Sequence, residues 1–420
     1  MTLRIHVILI AVLIPLAASA QTVAKKEAVD ARAIHSSALV VDTHADTPLY
    51  FDDQFDLRSG ALADGRHFDL ELVRAGNLGA QFFSVWVEPK RYKGRFAHRT
   101  LHTIDSVYRQ VAKNPDRMML AVSTSDILRA RASGKLAALM GIEGGHSIEN
   151  NLGLLRDYHR LGVRYMTLAW SNTNEWADSS GDLNDDKVKH HNGLTEFGEG
   201  VVREMNLLGM IVDISHVSDR TFYRALTISR APVIASHSSA RALNSHARNM
   251  SDDMLRAMTR NGGVVMVNFY SAFVDEEFRK ASAAQKAERD AADDTLKQRL
   301  RDADSITYWR AVDRLGKEWA AKVPRPPLKS LIDHIDHIAK VAGVDHVGLG
   351  SDFDGVDSLP QGIGSVADLP NITAALVERG YTREQIHKIL GGNFMRVFRE
   401  VERVSREIQT EQATKVGKKK

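Results

Sequence analysis

The chain contains no cysteine. That excludes disulfides, thioester-linked lipid anchors, cysteine nucleophiles and zinc–thiolate sites, so any metal must be held by His, Asp and Glu. Such a donor set favours zinc, manganese or another borderline-to-hard divalent ion. A large excess of either charge is lacking too: 56 Lys and Arg against 53 Asp and Glu leave a net charge of +3. This balance gives no electrostatic argument for a nucleic acid partner or an anionic membrane surface. Beyond the first twenty residues there is no apolar run long enough to span a bilayer.

Those first twenty residues stand apart. A basic start, "MTLR", precedes the apolar run "VILIAVLIPLA" and then "ASAQ", with small residues at Ala18 and Ala20. This is the pattern of a signal peptide, residues 1–20, cut after Ala20. The expectation is an exported protein, periplasmic or secreted, with no integral membrane span after cleavage. The remaining length suits two ordinary domains or one large barrel.

Eight apolar segments follow one another, most separated by amphipathic stretches: "SALVVDTHAD", "GAQFFSVWV", "KLAALMGIEGG", "VRYMTLAW", "GMIVDISHVS", "APVIASHSSA", "GGVVMVNFY" and "DHVGLGSDFDG". Near-continuous apolar runs alternating with helices suggest parallel strands buried on both faces. Eight is the strand number of a (β/α)8 TIM barrel, an α/β fold. An open doubly wound sheet would show the same alternation, but would call for a Gly-rich loop after the first strand, and "THADTP" is not one. Residues 21–410 are read as a single barrel domain. Residues 272–326, charged and Ala-rich, read as a helical insertion after strand seven, most simply a solvated excursion with no part in chemistry, otherwise a lid or dimer contact. Residues 411–420 read as a flexible basic tail.

The ionisable residues fall at strand ends. His44 and Asp46 follow strand one, Glu143 strand three, His216 strand five, His237 strand six and Asp352 strand eight. In a barrel the C-terminal strand ends converge on one face, where active sites are built. His44 and Asp46, two apart on extended chain, point to the same side. Imidazole and carboxylate are ordinary zinc ligands. A carboxylate can bridge two ions, and Glu143 is the natural candidate, with His216 and His237 completing the second ion. Two such ions share a hydroxide and polarise a carbonyl. Asp352 is left as general base and then acid. His146, in "EGGHS", reads as a loop-orienting neighbour of Glu143, and His334 and His337 as core-edge or surface residues of an amphipathic helix.

These motifs carry a resemblance. "VVDTHADTP", "GIEGGHSI", "DISHVSD", "PVIASHSSAR", "ARNMSDDML" and "VGLGSDFDGV", in this order, resemble the membrane (renal) dipeptidase family, peptidase family M19, among the amidohydrolase-like barrels, over roughly residues 35–400. The resemblance implies two Zn2+ ions per chain, with His44 and Asp46 on one, Glu143 bridging, and His216 and His237 on the other. It implies that Arg248 binds the substrate's terminal carboxylate and that Asp352 is the catalytic acid/base, also in contact with substrate. It implies a homodimer, non-covalent here because no cysteine is present. One departure stands out: the family usually carries "TLTH" after strand four, its His contacting substrate, and here the place reads "TLAW" with Trp170. An indole has one N–H donor and no acceptor. Asn172 and Asn174 are the nearby candidates to replace the lost donor, and Arg241, a second cation near His237, reads most simply as a surface residue, otherwise as widening the preference toward acidic substrates.

The reading is a zinc-dependent dipeptidase hydrolysing small dipeptides by a metal-bridging hydroxide. Trp170 keeps open a dizinc amidohydrolase acting on N-acyl amino acids, lactams or other small amides and esters. A non-catalytic metal-binding protein on the same fold is the third reading.

Overall fold

The computed structural model describes residues 30–51, 55–58, 60 and 65–417, so the signal-peptide reading of residues 1–20 falls outside the described residues. Nine strands form one sheet, every pairing parallel: β1 (Val40–Ala45), β2 (Leu78–Trp86), β3 (Met118–Leu120), β4 (Leu136–Glu143), β5 (Val163–Thr167), β6 (Ile211–Asp213), β7 (Ile234–Ala235), β8 (Val264–Val267) and β9 (Val347–Leu349). Eight of them run in the order β1-β2-β4-β5-β6-β7-β8-β9, while β3 pairs only with β4. The path nearly closes on itself. Asp46 N–H donates to Phe353 O at 2.8 Å, Asp352 N–H donates to His44 O at 3.1 Å, and Ala45 bridges Phe353 in parallel. The eight apolar segments of the sequence are thus the eight strands of a nearly closed (β/α) barrel, and β3 is a short addition outside it.

Alternation along the strands decides what faces inward. Ala137 and Leu139 of β4 share one buried cluster with Ala80 and Phe82 of β2, Tyr165 of β5, Ile211, Ile234, Val264 and Met266. Gly141 and Glu143 continue the same face toward the strand end. Gly141 is where the Tyr165 ring crosses, for a Cβ there would stand 2.0 Å from Tyr165 Cζ. Phe394 and Phe398, from the C-terminal helix Asn393–Gly417, join this cluster. The opposite face, with Ala138, Met140 and Ile142 of β4, belongs to a second, larger core against the helices.

Helix ends follow the sequence signals. Ser251 caps Asp252–Asn261 by accepting from Met254 N–H, and Gly209 and Gly262 close their helices in the left-handed conformation. After β8 the insertion is helical: Glu276–Ala284, Lys286–Arg299 and Ser305–Ala320. Lys286–Arg299 buries nothing, as a solvated excursion should. Ser305–Ala320 differs: it buries Tyr308 and Trp309. The segment from residue 411, expected as a flexible tail, continues the last helix to Gly417. Glu411 accepts two hydrogen bonds from Arg230, at 2.7 and 2.8 Å, which ties the helix to the chain beyond the point where composition suggested fraying. Among the described residues no helix is long and apolar enough to cross a membrane.

Candidate metal centre and active site

The C-terminal strand ends bring His44, Asp46, Glu143, His216, His237 and Asp352 together, all buried. Glu143 is the hub. Its Oε1 lies 2.9 Å from His216 Nε2 and 3.4 Å from His237 Nε2, while its Oε2 lies 3.6 Å from His44 Nε2. His44 Nε2 is in turn 3.5 Å from Asp46 Oδ2. The two oxygens of one carboxylate therefore face two different groups of nitrogen donors. Donor atoms of His44, Glu143 and His237 lie within 4.8 Å of one another, as do those of His44, Asp46 and Asp352.

The histidines are oriented from behind. His44 Nδ1 is 2.8 Å from Tyr165 Oη, which also lies 3.1 Å from Thr43 O. Tyr165 has one proton; given to Thr43 O, it leaves the hydroxyl to accept from His44 Nδ1–H. His237 Nδ1 is 2.8 Å from Ser236 Oγ, whose proton goes to Asp213 Oδ2 at 2.7 Å. His216 Nδ1 is 3.2 Å from Ser171 Oγ. Each imidazole thus turns its Nε2 lone pair toward the centre, the arrangement that metal-ligating histidines adopt. Nε2 of His216 and of His237 stand 2.9 Å apart, and His44 Nε2 and Asp46 Oδ1 are buried with no hydrogen-bond partner. Buried lone pairs that face each other without a donor are costly unless a cation lies between them. The donor set and its orphaned atoms fit divalent ions.

The electrostatics agree. Burial pushes the pKa of His216 down to about 3 and that of His237 well below the usual range, so both are neutral. Burial also opposes the charge on His44, but Tyr165, Glu143 and Asp46 outweigh it and raise its pKa well above the ordinary value. Without ions, a proton on His44 supplies part of the positive charge that the carboxylates demand; a bound ion would displace it. Glu143, despite burial, is held far below the usual carboxylate range, chiefly by the charge on His44. Asp352 moves the other way. Burial, with Asp46 and Glu143 adding and His44 opposing, pushes it up to about 7. Backbone strain marks the same place, because His216 and Asp352 adopt left-handed φ values of 67° and 63° that side chains rarely take.

Above the centre lies a cavity of about 340 Å3, lined by Asp46, Glu143, His216, Arg248 and Asp352, by Trp170 and Trp86, and by Trp309 and Asp313 of the insertion. The insertion therefore contributes pocket wall, where a solvated excursion was expected. Arg248 donates to Ser238 Oγ at 3.3 Å and His237 O at 3.1 Å, and its Nε is buried without a partner. No carboxylate pairs with it among the described residues, and burial lowers its pKa to about 10. A buried, unpaired guanidinium calls for an anion.

This geometry coincides with the outcome of comparison across known proteins. The family model described as "Membrane dipeptidase (Peptidase family M19)" matches residues 29–412. The chain belongs to that family. As a member of the membrane dipeptidase family it is a peptide-bond hydrolase built on a metal-dependent barrel. It is 36% identical over 365 residues to dipeptidase tcpJ of Claviceps purpurea (strain 20.1), covering 85% of this chain and 74% of that protein. Among solved structures it resembles the probable dipeptidase PvdM from Pseudomonas aeruginosa, with TM-score 0.73 and 26% identity over 89% of this chain and 98% of that one. The fold also matches a metallo peptidase from Rhodobacter sphaeroides, liganded with a phosphinate mimic of the dipeptide L-Ala-D-Ala, at TM-score 0.66 and 23% identity over 87% and 99% of the two chains.

Some expectations for this membrane dipeptidase family member need revision. Asn174 spends its amide on Leu168 O and its carbonyl on Trp176 and Ala177 N–H, and neither it nor Asn172 lines the cavity. Neither is placed to replace a missing oxyanion donor. Arg241 forms a two-pronged pair with Asp219, both bonds 2.7 Å, and stays out of the cavity. His146, by contrast, bonds Val87 O at 2.9 Å and so orients the chain leaving β2 beside Glu143, as a loop-orienting neighbour should. His334 is fully buried, receiving Ala240 N–H on Nδ1 at 2.9 Å. The sequence reading missed Tyr165 behind His44, and Asn268, whose Nδ2 donates to Asp352 Oδ2 at 2.8 Å. Asn268 follows β8, a strand end like the others, and that position was the available signal.

Proposed function

We propose that this protein is a dizinc dipeptidase. The observation that carries the reading is Glu143, one carboxylate whose two oxygens face separate groups of inward-pointing donors. His44, Asp46 and Glu143 would hold one zinc ion, and Glu143, His216 and His237 the other. Bound there, such ions supply Lewis acidity, making water a nucleophile near neutral pH and polarising a carbonyl.

The chain's own groups account for the rest. Arg248 grips the substrate's free carboxylate, two N–H donors matching two oxygens. A fixed grip this close to the centre limits the substrate to a short chain, since a peptide continuing past that carboxylate would lose it. Asp352 accepts the proton from the attacking water and hands it to the leaving amine. A carboxylate placed beside the reacting bond can take that proton and return it within one turnover. Asn268 fixes Oδ2 and leaves Oδ1 for the proton. The apolar walls thin the water around the reacting bond. The basic and apolar start of the sequence supports export, and the family likeness is the support for a non-covalent homodimer.

The test is turnover by zinc-loaded protein against parallel panels of dipeptides and N-acyl amino acids. Dipeptides should be hydrolysed, with loss of activity under chelation. Asp352→Asn should keep the metal and lose about 10²–10⁴ in kcat. Preferential cleavage of N-acyl amino acids would favour the broader amidohydrolase reading. Metal binding with no turnover on either panel would leave only a binding protein.

A further inference from the structure

We propose that the pocket selects dipeptides whose N-terminal residue carries a bulky apolar side chain, seated against Trp86, Trp170 and Trp309. The inference rests on the dipeptidase reading above and names its substrate class.

Three of the chain's five tryptophans line this one cavity. Their rings form a contiguous surface, with centroids 4.9 Å apart for Trp86 and Trp170 and 5.1 Å apart for Trp86 and Trp309. They come from three elements: the end of β2, the loop after β5, and the insertion helix Ser305–Ala320. The indole nitrogens of Trp86 and Trp309 are shielded from solvent and unpartnered, so what these two rings show the cavity is carbon. Val312, one turn after Trp309, extends the same apolar wall.

The insertion is fastened in this position. Arg91 donates to Arg301 O at 3.1 Å and Ala303 O at 2.7 Å, and its guanidinium lies 4.0 Å from the centre of the Tyr308 ring. Arg99 donates to Ser305 Oγ at 3.2 Å. These bonds join the segment after β2 to the first turn of the insertion helix, so Trp309 is held where Trp86 meets it.

Strand order says which end of a substrate meets the wall. Trp86 ends β2 and Trp170 follows β5, on either side of β4 and Glu143. Arg248 lies on the other side of the barrel mouth, bonded to residues just after β7 and packed against Phe273 after β8. A dipeptide with its carboxylate on Arg248 and its amide over Glu143 extends its N-terminal residue toward the indoles. Burying apolar surface is favourable in proportion to area, so a large side chain gains where a hydrogen atom gains nothing.

The experiment measures kcat/KM of the zinc-loaded enzyme on two series, X–Ala and Ala–X, with X as Gly, Ala, Leu and Phe. Phe–Ala should exceed Gly–Ala by about 10- to 100-fold, with a much flatter Ala–X series. Trp309→Ala should reduce the Phe–Ala to Gly–Ala ratio about tenfold, and Trp309→Phe should restore most of it. Calorimetric binding of the same peptides to the Asp352→Asn protein should show the same ranking without turnover. A flat X–Ala series, a preference lodged in Ala–X instead, or a ratio untouched by Trp309→Ala would overturn the inference while leaving the dipeptidase reading intact. Hydrolysis of no peptide in either series would remove that reading, and this inference with it.

Discussion

Tyr165→Phe should weaken metal binding although Tyr165 touches no ion. The substitution removes one oxygen from a fully buried ring and leaves the ring in the slot that Gly141 provides. What is lost is the 2.8 Å bond to His44 Nδ1, together with the 3.1 Å bond donated to Thr43 O. A buried N–H without its acceptor costs about 1–3 kcal/mol. Part of that cost appears as freedom of the imidazole to rotate or switch tautomer, which turns Nε2 away from Asp46 and Glu143. Loss of such a supporting bond typically lowers metal affinity about 10- to 100-fold, or roughly 1.4–2.7 kcal/mol. Competition between the protein and a chromogenic chelator for zinc reads the affinity directly. Tyr158→Phe is the control: Tyr158 is equally buried, and its hydroxyl bonds Ser147 O at 2.9 Å, away from the metal donors. It should lose stability without losing zinc affinity. If Tyr165→Phe binds zinc within twofold of the wild type, the hydroxyl does not orient His44 and the reasoning fails.

Gly141→Ala should be more disruptive than its size suggests, since the new Cβ would meet the Tyr165 ring at 2.0 Å. Overpacking of this kind costs about 1–3 kcal/mol, and chelator competition should show a zinc defect that does not add to that of Tyr165→Phe. Arg248→Lys keeps the charge but loses the fork, so kcat/KM for dipeptides should fall about 10- to 100-fold while C-terminally amidated peptides, already poor, change little. His334 predicts a pH effect on stability. Burial lowers its pKa from 6.5 to about 4, against the opposing hydrogen bond to Val274 O, and the neutral ring accepts from Ala240 N–H. Between those values the unfolded chain binds the proton and the folded one does not. Stability should therefore drop as pH falls from 6.5 toward 4, by up to roughly 3 kcal/mol from this group. Urea unfolding across that range checks it, and His334→Gln should flatten the slope.

Most of the barrel was legible because buried parallel strands write themselves as short apolar runs, and each of the eight runs became a strand. β3 was not legible: "MML" is three residues long with no period to count. The residues that gather at the centre were legible because they sit at strand ends, where a barrel brings side chains together whatever their separation in sequence. Their supports were not. Tyr165 lies inside an apolar strand and reads as core, and its partner Gly141 reads as an ordinary small residue. The insertion misled in the same way. Its charge and alanine content describe Lys286–Arg299 well, but Trp309, Val312 and Asp313 occupy one side of a later helix whose neighbour, the pocket, cannot be seen in composition. The helical continuation of the last segment was not legible because Arg230, which pairs with Glu411, lies far away in sequence.

Anomalous diffraction at the zinc edge from zinc-loaded crystals tests the central claim most directly. The account predicts two peaks per chain, one on each side of Glu143, the first touching His44 and Asp46 and the second His216 and His237. A chain with no peak beside Glu143, or with a single ion that leaves His216 and His237 unliganded, would contradict it.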